Sequence, residues 1–132
     1  MLTEDIRDAI ENDNMLYARA YVGETVTDIR AYQTELAELC CTNCRFENCD
    51  FTQTYFRKSQ FIDCTFVDCA FEESYFKASV LRACEVRGGT FHQSHFKNVK
   101  LQGVGVYYGN FTNTIWESST VDACSFKDAL FS

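Results

Sequence analysis

Residues 49–76 read CDFTQTYFRKSQFIDCTFVDCAFEESYF, with phenylalanine at positions 51, 56, 61, 66, 71 and 76. A spacing of five fits neither the 3.6-residue period of an α-helix nor the two-residue alternation of a flat strand. Carried through the chain in the same phase, it gives eighteen consecutive large apolar positions from Phe46 to Phe131, relaxing only to Leu81, Val86, Leu101, Val106, Trp116 and Val121. The residue two before each of these is small and uncharged, from Cys44, Cys49, Thr54 and Ser59 to Ser119, Cys124 and Ala129. The other three positions of each quintet hold nearly all the charge.

A large and a small residue two apart point to the same side of an extended backbone. A bend after every fifth residue turns the next pair inward as well, so the chain must wind. A solenoid with short strands as its sides puts the large residue at the middle of each side, and a small one where a bulkier group would collide across a narrow bore.

With this pattern, residues 39–132 resemble the pentapeptide repeat family. The resemblance implies a right-handed four-sided parallel β-helix with four quintets per turn, here about 4.5 coils. Residues 20 apart then stack. The first face carries Phe46, Phe66, Val86, Val106 and Phe126; the second Phe51, Phe71, Phe91, Phe111 and Phe131; the third Phe56, Phe76, Phe96 and Trp116; the fourth Phe61, Leu81, Leu101 and Val121.

At 132 residues and 46% hydrophobic, the chain is the size of one ordinary domain with a real core. No apolar run approaches the roughly 20 residues that cross a bilayer, and MLTEDIRDAIEND lacks the features of a signal peptide, so a cytoplasmic protein is expected. The net charge of −7 is uneven: residues 1–40 carry nine acids against three bases, residues 41–132 ten against nine. Residues 1–38 break the quintet pattern and read as a helical cap. Thr3 caps a helix bearing Leu2, Ile6, Ala9 and Ile10, Glu11-Asn12-Asp13-Asn14 interrupts it, Met15 to Tyr21 resumes it, and Thr25 or Thr27 caps another with Ile29, Tyr32, Leu36 and Leu39 at helical spacing.

The eight cysteines read as reduced thiols, since a chain this long and rich in Phe needs no covalent staples. Cys40, Cys41, Cys44 and Cys49 crowd the first repeats, and the C-x2-C spacing at 41 and 44 can begin a zinc or iron–sulfur site. The competing reading is that Cys44, Cys49, Cys64, Cys69, Cys84 and Cys124 fill the small inward slot as compact apolar groups. That reading accounts for six of the eight and calls for no metal or cofactor; Cys40 and Cys41 stay open between the two.

Catalysis finds no constellation. His92 and His95 are both placed outward without a nucleophile or a carboxylate pair, Gly88-Gly89 is not a phosphate loop, and the Asn110-Phe111-Thr112 sequon reads as accidental in a cytosolic chain. The outward residues of the third face say more. Tyr55, Tyr75 and His95 form an aromatic stripe beside a basic one of Arg57, Lys77 and Lys97, ending in Ile115 and Glu117. Such a face suits an acidic protein better than a nucleic-acid backbone, although a solvated sheet face can also use β-formers and lysines. Val67, Tyr107 and Tyr108 form a smaller exposed cluster.

The expectation is a non-enzymatic binding protein that occludes a protein partner, of the kind that neutralises a toxin (an immunity protein or antitoxin). Resemblance to the family also implies a second possibility, a DNA-mimicking protector or inhibitor of a topoisomerase such as gyrase, but mimicry needs acidic rows and the clearest row here is basic. The last quintet, ending at Ser132, leaves the apolar Trp116, Val121, Phe126 and Phe131 uncovered, which predicts a homodimer joined through the C-terminal coil.

Overall fold

The structure, a computed structural model, describes residues 1–12 and 15–131. One helix, α1 (Leu2–Glu11), precedes a series of strands two or three residues long, running from Leu16 to Phe131. Of the predicted interruption at Glu11-Asn12-Asp13-Asn14, Glu11 is the last helical residue and Asn12 the C-cap, while residues 13 and 14, like Ser132, lie outside the described residues.

Each quintet is a short strand and a corner. In Tyr55–Arg57 the central Phe56 is buried while its neighbours face out, Lys58 turns the corner at φ 54°, and Ser59 is buried at the start of the next side. A left-handed residue recurs at this corner throughout, for example Asn43, Asn48, Asp63 and Asp68 with φ of 54°, 51°, 55° and 51°. Asn and Asp enter that region most readily, because a short polar side chain bonds locally. The corner also aims its N–H along the rod: Asn43 donates to the Ile62 carbonyl and Lys58 to the Lys77 carbonyl, each at 2.9 Å. A hydrogen bond gained at each corner that has a following coil offsets its strain.

Residues 20 apart pair in parallel, as Phe76 does with Phe96. Three faces are six-stranded sheets. The first runs from Thr25–Thr27 to Ser125–Lys127, the third from Leu16–Tyr17 to Ile115–Glu117, and the fourth from Ala20–Val22 to Thr120–Asp122. The second is held by single bridges through Arg30, Asp50, Ala70, Thr90 and Asn110, with one strand pair at its end. Tight turns replace strands there, Thr54 N–H donating to the Phe51 carbonyl at 3.1 Å and Ser74 N–H to that of Phe71 at 3.2 Å.

Inside, phenylalanines stack coil on coil. Ring centroids of Phe51, Phe71, Phe91 and Phe111 are separated by 5.3, 4.7 and 4.5 Å. The small slots hold short donors: Ser74 Oγ donates to the Phe51 carbonyl at 2.6 Å and Cys64 Sγ to the Cys41 carbonyl at 3.3 Å. Cys, Ser and Thr interchange in this slot because each is compact and carries one proton to donate.

The N-terminal region corrects the expectation. Among the described residues only α1 is helical, Met1 rather than Thr3 occupies its N-cap, and the boundary moves from residue 39 back to Leu16, making about six coils instead of 4.5. Residues 15–21 and 25–39 form no helix; Thr25 and Thr27 are strand residues flanking the buried Val26. The phase of five persists through Leu16, Tyr21, Val26, Ala31, Leu36 and Cys41, all buried. Large and small have changed places: Ile29 precedes Ala31 and Leu39 precedes Cys41, so each pair fills the same space in the opposite order. Helix α1 buries Leu2, Ile6 and Ala9 over the first coil. Glu24, in the small slot of that coil, accepts the Leu2 N–H at 2.7 Å, and the Tyr21 hydroxyl donates to Asp5 at 2.6 Å.

Candidate partner-binding face

The third face brings all six predicted binding residues together. Phe56, Phe76 and Phe96 point inward, so the residues on either side of each must point outward. In-register pairing then stacks Tyr55 on Tyr75 on His95, and Arg57 on Lys77 on Lys97. All six side chains are half-buried by their neighbours. The Tyr55 and Tyr75 rings stack at 5.0 Å with 10° between planes, and the His95 ring tilts against Tyr75 at 4.5 Å. A rigid column of rings therefore stands beside a column of cations.

The cations differ in their pairing. Arg57 Nε lies 3.4 Å from Glu35 Oε2, whereas among the described residues no carboxylate comes within 4.0 Å of Lys77 or Lys97. Glu117 stands in register with Lys97, and its Oε2 is 3.4 Å from His95 Nε2, a contact without hydrogen-bond geometry. Glu35 escaped the sequence reading because residues before 39 were assigned to helices; its position 20 before Tyr55 was the available signal.

The predicted end residues lie in the last coil. Val121 and Phe131 are exposed, Trp116 and Phe126 half-buried, and Leu130, which the pattern did not single out, is exposed beside them. Trp116 stacks on Phe96 at 4.1 Å and Phe131 on Phe111 at 5.1 Å, so the core stacks run out to this end. In the smaller cluster Arg87 separates Val67 from Tyr107, its guanidinium 4.9 Å from the Tyr107 ring centroid, and Tyr108 turns an exposed corner.

The thiols are all free. Cys44, Cys49, Cys64, Cys69 and Cys84 are buried in small slots, Cys124 is half-buried in its slot, and Cys41 takes a central inward position. Cys40, next to Cys41 on one strand, points the other way. Burial pushes the Cys41 thiol well above its usual range and raises that of Cys44. Among the described residues no three metal-ligating side chains are arranged to hold an ion. His92 Nδ1 lies 2.6 Å from Thr112 Oγ1, an outward pair one coil apart. The Asn110 carboxamide accepts the Thr112 N–H at 3.0 Å, which ties the sequon into its turn. Among the described residues no helix is long and apolar enough to cross a membrane.

Comparison with known proteins bears on this frame. Residues 40–104 match the family described as pentapeptide repeat region. The chain is similar to Rfr23, a pentapeptide repeat protein from the cyanobacterium Cyanothece 51142, with a TM-score of 0.53 at 9% identity over the whole of both chains. It is also similar to full-length QnrB1, a plasmid-mediated fluoroquinolone resistance protein, with a TM-score of 0.50 at 15% identity over 86% of this chain and 77% of that one. At such identities the likeness is one of fold. No curated protein matches the chain.

Proposed function

The chain belongs to the pentapeptide repeat family, and from that premise we propose that it is a non-enzymatic cytoplasmic module that binds and occludes a protein partner through its third face, in the manner of a toxin-neutralising immunity or antitoxin protein. The observation that carries this reading is the column of Arg57, Lys77 and Lys97 standing in register beside Tyr55, Tyr75 and His95. Tyrosine and arginine are among the side chains that protein interfaces enrich, and the two lysines add a positive field that orients an acidic partner. Because the face is already ordered, little conformational entropy is lost on docking.

The DNA-mimic alternative draws support from likeness in fold to a fluoroquinolone resistance protein, and charge weighs against it. Residues 16–131 carry fourteen acids against eleven bases, a net −3 spread over about six coils, and the most regular charged column is positive. We also propose that a second copy of the chain covers the exposed Val121, Leu130 and Phe131 of the last coil.

The test is comparative capture from the native cell. Wild type should retain a partner that the triple variant Arg57→Glu, Lys77→Glu, Lys97→Glu loses, with the melting temperature of the two nearly equal. Equal capture by both moves the interface off this face, and protection of gyrase supercoiling from a quinolone by stoichiometric protein would restore the mimic.

A further inference from the structure

We propose that the third face seats an acidic α-helix of its partner, laid along the rod with carboxylates at i, i+3 or i+4, and i+7. This inference rests on the binding role assigned above to that face. Arg57, Lys77 and Lys97 stand directly opposite one another on three adjacent strands. Like charges in that relation repel, and of these three only Arg57 has a carboxylate within 4.0 Å among the described residues. Elsewhere the fold avoids such a column, pairing Arg45 with Glu47 and Arg87 with Glu85 along their own strands. The repulsion along the row, where Lys77 and Lys97 have no such partner, is relieved when a matching row of anions lies on it.

Its ends limit what that row can be. At one end Glu35, in register with Tyr55, reaches across to Arg57, and at the other Glu117 stands in register with Lys97. Three cations at a strand spacing of about 4.8 Å span about 10 Å. Duplex nucleic acid or an anionic membrane, continuing past both ends, would press its phosphates onto Glu35 and Glu117. Single-stranded nucleic acid binds by laying bases on free ring faces. Here Tyr55 and Tyr75 occupy each other's faces at 5.0 Å, and His95 leans on Tyr75 at 4.5 Å. Tyr75, held between Tyr55 and His95, has ring edge and hydroxyl left to offer, which suits protein side chains.

Spacing then chooses among protein segments. Seven residues of α-helix rise about 10.5 Å, close to the strip, while carboxylates at i, i+2 and i+4 of an extended strand spread over about 13.6 Å. The helix places three carboxylates on three cations with its flank along the tyrosine edges.

The experiment uses the full chain and two synthetic peptides of identical composition and charge, titrated by calorimetry. One carries Glu at i, i+4 and i+7 of a helix-forming sequence; the other alternates the same residues as a strand. The helical peptide should bind at least about tenfold more tightly than the alternating one, and weaken as salt rises. Lys77→Glu with Lys97→Glu should cost at least a further tenfold, and the milder pair Lys77→Gln with Lys97→Gln, which decides the matter where the reversal fails to fold, several-fold. Equal or tighter binding of the alternating peptide, still lysine-dependent, overturns the helix and leaves the face. No binding of either peptide at about 1 mM, or binding that ignores both lysine pairs, overturns the helix and the face together. Tighter binding of a 20-nucleotide single-stranded DNA than of the helical peptide overturns the protein partner.

Discussion

A Cβ placed on Gly89 would stand 2.6 Å from the carbonyl oxygen of Cys69 in the neighbouring coil. Gly89 occupies the small slot that Cys49 and Cys69 fill before it, but it follows Gly88 through a corner where both have positive φ, +67° and +92°. The backbone there has closed in on space a side chain would need. Gly89→Ala should cost about 1–3 kcal/mol in denaturant titration. Gly103→Ala is the control: it sits at a single corner residue, its Cβ meets nothing nearer than 3.9 Å, and Ala78 and Ala83 already take that conformation at φ 53° and 54°. It should change stability by less than about 1 kcal/mol.

Phe71 and Glu72 are adjacent and opposite in fate, the first 3% exposed and stacked between Phe51 and Phe91, the second open to solvent. Phe71→Asp buries an unpaired charge among aromatic rings and should unfold the rod or cost at least about 3 kcal/mol. Glu72→Lys should leave the melting temperature within a degree or so of wild type. Equal melting of the two variants would mean that the phase of the repeat is wrong.

How far the fold could be read from the sequence depends on where shape alone set the pattern. From Phe46 onward a large central residue and a small slot recur without exception, because in-register stacking at 20 residues repeats one division of the inner space from coil to coil. Between residues 16 and 41 the same geometry is satisfied by Ile29 with Ala31 and Leu39 with Cys41, in which the bulk comes from the slot. A rule about residue size fails there although the rule about apolar phase holds. Ile29, Leu36 and Leu39 fall at helical spacing only because two inward positions per quintet produce intervals of three and seven. The basic and aromatic columns were legible once 20-residue stacking was recognised. Glu35 was not, since it belongs to a coil that the size rule had missed.

The alkaline limb of stability follows from protons held inside the rod. A thiol in the unfolded chain ionises near pH 8.5 and a tyrosine near pH 10. Burial holds the Cys41 thiol protonated well beyond that and raises the Cys44 thiol too, while burial, then the hydrogen bond to Asp5, holds the Tyr21 hydroxyl protonated well beyond its own. The folded state keeps protons that the unfolded state releases. The stability these groups contribute is therefore complete below about pH 8.5 for the thiols and pH 10 for Tyr21, and declines as pH rises toward the folded values. Melting followed by circular dichroism from pH 7 to 11 should show a fall beginning near pH 8.5 that steepens near pH 10. Cys41→Val should soften the first part and Tyr21→Phe the second; a wild-type profile flat to pH 11 would contradict the assignment.

The last coil leads to the oligomeric state. Phe131 stacks one ring face on Phe111 at 5.1 Å, and Phe126 meets it edge-on at 5.3 Å, yet Phe131 remains 53% exposed and Leu130 beside it 59%. The same aromatic columns that bury themselves in every earlier coil arrive here with one side uncovered, along with the strand edges of Ile115–Glu117, Thr120–Asp122 and Ser125–Lys127. Apolar rings with adjoining free edges favour end-to-end contact, and a two-fold axis closes that contact where a head-to-tail arrangement would go on growing. The protein should therefore sediment as a dimer at equilibrium, and Phe131→Glu, which sets a charge at the centre of the contact, should return it to monomer with its melting midpoint changed by no more than the lost association explains. A monomeric wild type rejects this contact. A dimer that survives Phe131→Glu but dissociates on reversal of Lys77 and Lys97 would instead place the second copy on the third face, in competition with the acidic partner.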